Sequence, residues 1–274
     1  MTQTGNPITN TLVPKPKRTL LGEQTAGTLL ANIAHMYRHH FGLIVGAVGL
    51  PLVLPAIIVT LALSNIDAEE TNGFAIIGAV VGFGLGYIGL FLGPAALTVV
   101  ASDICVGNAP TLSRAYQRVL GRGRWWHLVT TSLLAGILID LGLILLIVPG
   151  LWLFIRALFS APVVVLEDRR NRDAIRRSFA LTKGQAWRIA GFLLLTFLLA
   201  ELIASLVGFV VSFIGQQVAG PESALQVYLL VLNFAIGAIV IGPASSVLIV
   251  LLYYDQRVRR ESYDAQALAE DLMR

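Results

Sequence analysis

Charge is scarce in this chain: 13% of its 274 residues are Asp, Glu, Lys or Arg, and 56% are hydrophobic. A soluble domain carries about 25% charged residues, so a water-solvated fold is excluded, and the mean hydropathy of +0.76 agrees. Cysteine is reduced to Cys105, which rules out an intramolecular disulfide and a thiolate metal site. Histidine occurs four times. His35 and His39 stand at i and i+4 with His40 beside them, but no third metal ligand accompanies them, and no metal is expected. An intramembrane serine protease would need a histidine inside the bilayer, and all four lie at or outside the ends of the apolar stretches. The first 40 residues lack an apolar run followed by a small-residue cleavage site, so no cleavable signal peptide is expected. The net charge of +4 does not indicate nucleic acid, because the basic residues flank membrane segments, where insertion bias explains them.

What the chain does have is apolar runs near the roughly 20 residues that a bilayer demands of a spanning helix. Six stand out, at 43–63, 74–101, 128–148, 151–166, 189–214 and 227–254. The fourth spans only about 24 Å at 1.5 Å per residue, yet charge requires it. With six spans, 19 of the 20 Lys and Arg residues fall on one side, in the N-terminus, 102–127, 167–188 and the C-terminus. The segments on the other side hold none, but carry Asp67, Glu69, Glu70 and Glu222. Positive charge is retained in the cytoplasm during insertion, so both termini are expected there, in a bacterial plasma (inner) membrane. Pro149-Gly150 is expected to break the third and fourth spans into a hairpin. The expected organisation is a disordered cytoplasmic N-terminus over 1–25, a six-span transmembrane domain over 26–260 and a cytoplasmic tail over 261–274.

The basic segments carry helical periodicity. Residues 26–41 place Leu30, Ile33, Tyr37 and Phe41 on one face; 111–121 place Leu112, Ala115, Tyr116 and Val119 together; and 172–182 set Ile175, Phe179 and Thr182 against Arg172, Asp173, Arg176 and Arg177. Each reads as a short basic amphipathic helix leading into a pair of spans, either a threefold internal repeat or the common look of loops re-entering a membrane. The fold class is therefore all-α: a polytopic membrane bundle of six transmembrane helices with three cytoplasmic interfacial helices.

The stretch "VPGLWLFIRALFSAPVVVLEDRRNRDAIRRSFALTKGQAWRI" resembles the core motif of the glycerophosphoryl diester phosphodiesterase membrane-domain family. The matching positions are Pro149, Gly150, Arg156, Pro162, Leu166, Glu167, Ala174, Arg177, Ser178, Leu181, Thr182, Gly184 and Trp187. The start "HMYRHHFG" and the tail "YYDQRVRRESYDAQALAEDL" are similar to that family's ends. The family's phosphodiesterase is a separate barrel with a His-Arg-Gly motif and a carboxylate-held metal. This chain has no His-Arg-Gly, so the resemblance implies an accessory or stand-alone membrane module rather than an enzyme.

Three sets of candidate residues follow. Asp140, Arg156 and Glu201 are the ionisable residues deep within spans, each 10 to 12 residues from the basic end of its segment, a depth of about 15–18 Å. A buried polar cluster is expected, with Asp140 and Arg156 as neighbours across the hairpin. Arg169, Arg170, Arg172, Arg176 and Arg177 are a topology signal, or contacts for anionic headgroups or an acidic partner. Gly82, Gly86, Gly89 and Gly93 line one face of the second span, which suits close helix packing and excludes a phosphate-cradling loop. The C-terminal stretch 262–274 either docks a partner or frays. The expected function is a non-enzymatic structural, accessory or scaffold subunit, without cofactor, associated with membrane lipids or a membrane protein complex. The alternative is a transporter or flippase-like carrier of a lipid or amphiphile using the buried cluster.

Overall fold

The computed structural model describes residues 24–63, 73–219 and 242–261. Among these residues every regular element is helical. Helix α1, Ala26–Leu63, is divided at His40, whose φ of −130° and ψ of 25° leave the helical region. The division falls at the expected joint between a basic amphipathic leg and an apolar one. The buried side of that leg is Leu29, Ile33 and Met36, while Phe41 stays exposed; the face is turned about one position from the sequence reading.

Helix α2, Gly73–Val106, returns alongside α1. Helix α3, Leu112–Leu120, starts at Thr111, whose hydroxyl accepts from the Arg114 N–H. A single 3-10 turn at Gly121–Gly123, with Arg122 at φ 54° and Gly123 at φ 72°, separates α3 from α4, Arg124–Leu145. Next come α5, Ile147–Ala157, and α6, Ser160–Glu167. Then follow α7, Asn171–Thr182, α8, Ala186–Ala219, and α9, Pro243–Glu261. Among the described residues, a short helix precedes a long one at the first leg of α1, at α3 and at α7.

Among the described residues, five segments are long and apolar enough to cross a membrane: Ala26–Ala62, Gly73–Val106, Leu112–Leu145, Ile147–Glu167 and Ala186–Gln217. Most of the sixth expected span, 227–254, lies outside the described residues, as do the tail 262–274 and the segment 1–23.

Two expectations about the third and fourth spans need correction. The hairpin break lies at Leu146, extended at φ −164° and ψ 145°. Pro149 and Gly150 instead sit in the first turn of α5, where proline's missing N–H has no intrahelical partner to lose. Gly150 serves the packing: a Cβ there would lie 2.5 Å from the Leu143 nitrogen, and one on Gly142 2.9 Å from the Gly150 Cα. The fourth span is also two helices, not one. Pro162 cannot donate to the carbonyl four residues earlier, and the chain breaks at Leu158 and Phe159.

The core gathers at one end of the bundle. Met36, Leu97, Phe159, Leu181, Leu252 and Tyr253 are fully buried there, with contributions from all three units. At the other end, Leu143, Ile144, Leu145, Phe197 and Phe209 are exposed. Burying apolar surface away from water is favourable, and hydrocarbon supplies that environment to helices, whose backbone groups are already paired. The packed end is also where the basic segments meet.

Candidate functional site

The packed end is held by charges that the chain brings together from distant positions. Glu167, at the end of α6 with a side chain 10% exposed, accepts from Arg177 Nε at 2.9 and 3.1 Å, from the Tyr253 hydroxyl at 2.9 Å and from Arg169 Nε at 3.2 Å. Arg177 also reaches Glu261 at 2.5 Å, and Arg257 meets the same carboxylate at 3.1 Å. For Arg177, burial opposes the charge, but the two carboxylates outweigh it and hold the guanidinium above its usual pKa. One motif glutamate thus joins α6, α7 and α9.

A second node is Asp255, with a fully buried side chain. It accepts from the Gln24 N–H at 2.7 Å, Arg188 Nη1 at 3.0 Å, Arg259 Nε at 3.0 Å and the Gln256 amide at 3.2 Å. Arg188 also donates to the Gln24 carbonyl at 2.6 Å. The beginning of α1 is tied in this way to α8 and α9. Four donors around one carboxylate offset the cost of removing it from water.

Ser178 links the helix break to α7. Its hydroxyl donates to the Arg156 carbonyl at 2.7 Å and accepts the Phe159 N–H at 3.0 Å. Both backbone groups would otherwise be orphaned where α5 stops. Gly184, at φ 73°, takes the left-handed conformation that turns the chain from α7 into α8.

Beside this frame lies a basic cavity of about 260 Å³, lined by Arg122, Arg124, His127, Asp168, Arg169 and Arg170. Arg124 and Asp168 form a two-pronged pair, Nε to Oδ1 and Nη2 to Oδ2, the latter at 2.9 Å. That hydrogen bonding holds the Asp168 carboxyl below the usual carboxylate pKa. Arg122 and Asp168, both with left-handed backbone, line the cavity, and Asn171, also left-handed, lies at the start of α7. Asn171 joins α7 to α4: its N–H donates to Thr131 Oγ1 at 3.0 Å, and its side-chain oxygen accepts from Thr130 at 2.9 Å. An open groove of about 650 Å³ continues from Arg170 along Thr130, Leu133, Leu134 and Ile137 of α4.

The structure does not bring Asp140, Arg156 and Glu201 into one cluster. Asp140 and Glu201 lie on exposed faces of α4 and α8, without an ion pair among the described residues. The Arg156 guanidinium turns between two rings, 5.1 Å from the centres of both Trp152 and Phe179. Its Nε has no hydrogen-bond partner among the described residues. The physical reason is helical phase: equal depth does not make residues on different helices face one another, and two aromatic faces attract a guanidinium. The five arginines separate similarly. Arg169 and Arg170 line the cavity, Arg170 and Arg172 the groove, and Arg176 is exposed. Arg177 points inward as a clamp and is not available to headgroups.

The glycine face lies against α1. A Cβ on Gly89 would meet the Pro51 carbonyl oxygen at 2.7 Å, one on Gly82 Val59 Cγ2 at 2.6 Å, and one on Gly93 the Val48 Cα at 3.1 Å. Gly86 is roomier, with Pro55 Cβ at 3.6 Å. Sequence reasoning missed Asp103, Asp255, Gln256 and Arg257 as buried polar residues. The available signal was the spacing in "YYDQRVRRE", where Asp255 to Arg259 and Arg257 to Glu261 are both i,i+4 pairs.

Neither the curated proteins nor the solved structures contain a match to this chain. The profile of the membrane domain of glycerophosphoryl diester phosphodiesterase matches residues 127–270, from the second unit through α9. That match covers the Glu167, Ser178 and Asp255 nodes, and with the apolar helices it makes the protein an integral, multi-pass membrane protein. The chain belongs to the glycerophosphoryl diester phosphodiesterase membrane-domain family.

Proposed function

We propose that this protein is a non-catalytic accessory or scaffold subunit of a lipid-associated membrane complex, resident in a bacterial inner membrane with both termini cytoplasmic. The observation that carries the reading is the exposure of Asp140 and Glu201, mid-span carboxyls without a partner among the described residues. Ionisable groups at that depth almost always face protein or a water-filled cavity, and cost about 2.5–3.5 kcal/mol even on the lenient insertion scale. A neighbouring subunit packed on α4 and α8 would cover both. The carboxylates at the packed end support the same reading, since Glu167, Asp168 and Asp255 are engaged by arginines that tie helices together. A carrier would need the mid-span charges gathered around one path, and no ion pair or hydrogen bond joins them among the described residues.

The test is gentle extraction of the native protein, followed by native gel mobility and identification of co-purifying chains. Asp140→Leu or Glu201→Leu should release the partner while the protein itself stays monodisperse. A parent protein that extracts alone, or hydrolysis of glycerophosphodiesters by the purified chain with a divalent cation, overturns the reading. The orientation is checked by single cysteines in a Cys105→Ser background: positions 69 and 222 should label from outside whole cells, and 122 and 172 should not.

A further inference from the structure

We infer that the basic cavity and the groove on α4 form one binding site for an anionic glycerophospholipid, with the headgroup phosphate among Arg122, His127 and Arg170 and an acyl chain along Leu133, Leu134 and Ile137. The inference rests on the lipid-associated part of the function proposed above and names the lipid class and its seat.

Charge is the first argument. Cavity and groove together present five arginines against Asp168 and Asp173. Asp168 is engaged by Arg124, whereas Arg122 and Arg170 have no ion-pair partner among the described residues. Unneutralised guanidinium forks in a recess match the bidentate geometry of a phosphate. His127 lines the same recess and adds an imidazole to its basic wall.

Polarity is the second argument. Arg170 lines both spaces, so the basic recess and the groove adjoin at its side chain. From Thr130 to Ile137 the α4 wall turns apolar over about 10 Å, the sequence of environments an amphiphile presents from head to tail. The level also fits. Trp125 and Trp126, in the first turn of α4, are 37% and 55% exposed, and such aromatics sit at headgroup depth. A soluble anion would use the arginines and ignore the groove.

Full-length protein in a neutral detergent is titrated with dioleoyl phosphatidylglycerol, dioleoyl phosphatidylcholine or inorganic phosphate, and bound lipid is read by native mass spectrometry. Phosphatidylglycerol should bind as a single retained lipid, and phosphatidylcholine more weakly. Each basic residue near an anionic headgroup contributes about a fivefold factor, so Arg122→Gln with Arg170→Gln should weaken phosphatidylglycerol by roughly 25-fold. Leu134→Trp, which fills the groove, should weaken it several-fold with both arginines intact. Arg176→Gln, on the exposed face of α7 outside both spaces, should leave it unchanged. Neither Arg122 nor Arg170 clamps a helix, so a thermal melt matching the parent certifies the double variant's fold, and Leu134→Trp tests the site independently. Equal affinity of parent and arginine variants overturns the site. So does full competition by inorganic phosphate without any effect of Leu134→Trp, which would assign the arginines to a soluble anion. Asp140 and Glu201 are untouched in every variant, so this result does not depend on whether a partner subunit packs there.

Discussion

Removing the Glu167 carboxylate should loosen the whole packed end. In Glu167→Ala, Arg177 and the Tyr253 hydroxyl lose their acceptor in a region where Glu167 is 10% and Arg177 19% exposed. Truncating one partner of a buried pair costs about 3–5 kcal/mol. Arg177 keeps Glu261 as a second partner, and residual exposure screens part of the loss, which favours the lower end, about 3 kcal/mol. For chains of 150–250 residues, 1 kcal/mol shifts Tm by about 2–4 °C, so a fall of about 6–12 °C is expected. Glu167→Gln retains an acceptor for Tyr253 and should cost about half as much. The assay is thermal unfolding of detergent-purified protein, followed by tryptophan fluorescence. A cycle with Arg177→Gln separates the pair from its surroundings, and a coupling of at least about 1 kcal/mol is expected. A Glu167→Ala protein melting within about 2 °C of the parent, or strict additivity with Arg177→Gln, would refute the clamp.

Four further outcomes follow from particular contacts. Gly89→Ala places a methyl against the Pro51 carbonyl and should cost about 1–3 kcal/mol, whereas Gly86→Ala should be near neutral; equal melting of the two removes the close α1–α2 approach. Ser178→Ala orphans the buried Phe159 N–H and should cost about 1–3 kcal/mol in the same assay, and no loss would show that water replaces the hydroxyl. Arg156→Leu and Asp140→Leu should be additive within about 0.5 kcal/mol, since Arg156 rests on rings and not on the carboxyl; strong coupling would restore the ion pair. The folded-state pKa of Asp168 is depressed by Arg124, so its contribution is intact above the unfolded value near 4 and is lost as pH falls through the lower folded one. A melting profile should therefore decline more steeply below about pH 4 in the parent than in Asp168→Asn, modestly and less so at high salt, because Asp168 is half exposed.

The sequence by itself determined the class of the molecule and the rhythm of its helices. Apolar runs of bilayer length have one way to pair their backbone groups in hydrocarbon, and the basic amphipathic stretches between them carry helical periodicity of their own. The break near His40, α3 and α7 all fall where periodicity changes, and the glycines at 82, 86, 89 and 93 read as a helix-packing face because side-chain volume is a local property. Partner choice is different. Asp140, Arg156 and Glu201 share a depth, which sequence distance supplies, but not a facing direction, which depends on how each helix is rotated in the bundle. Glu167 and Ser178 stand in the sequence as motif positions without a visible partner, and Asp255 as a polar residue near a span end. Only folding carries Arg177, Tyr253, Arg188 and the start of α1 to within hydrogen-bond range of them, over separations of up to 231 residues. The break at Leu146 and the split between α5 and α6 belong to the same category. Proline marks where a helix is weakened, but the neighbouring chain, through Gly142 and Ser178, decided where it ends.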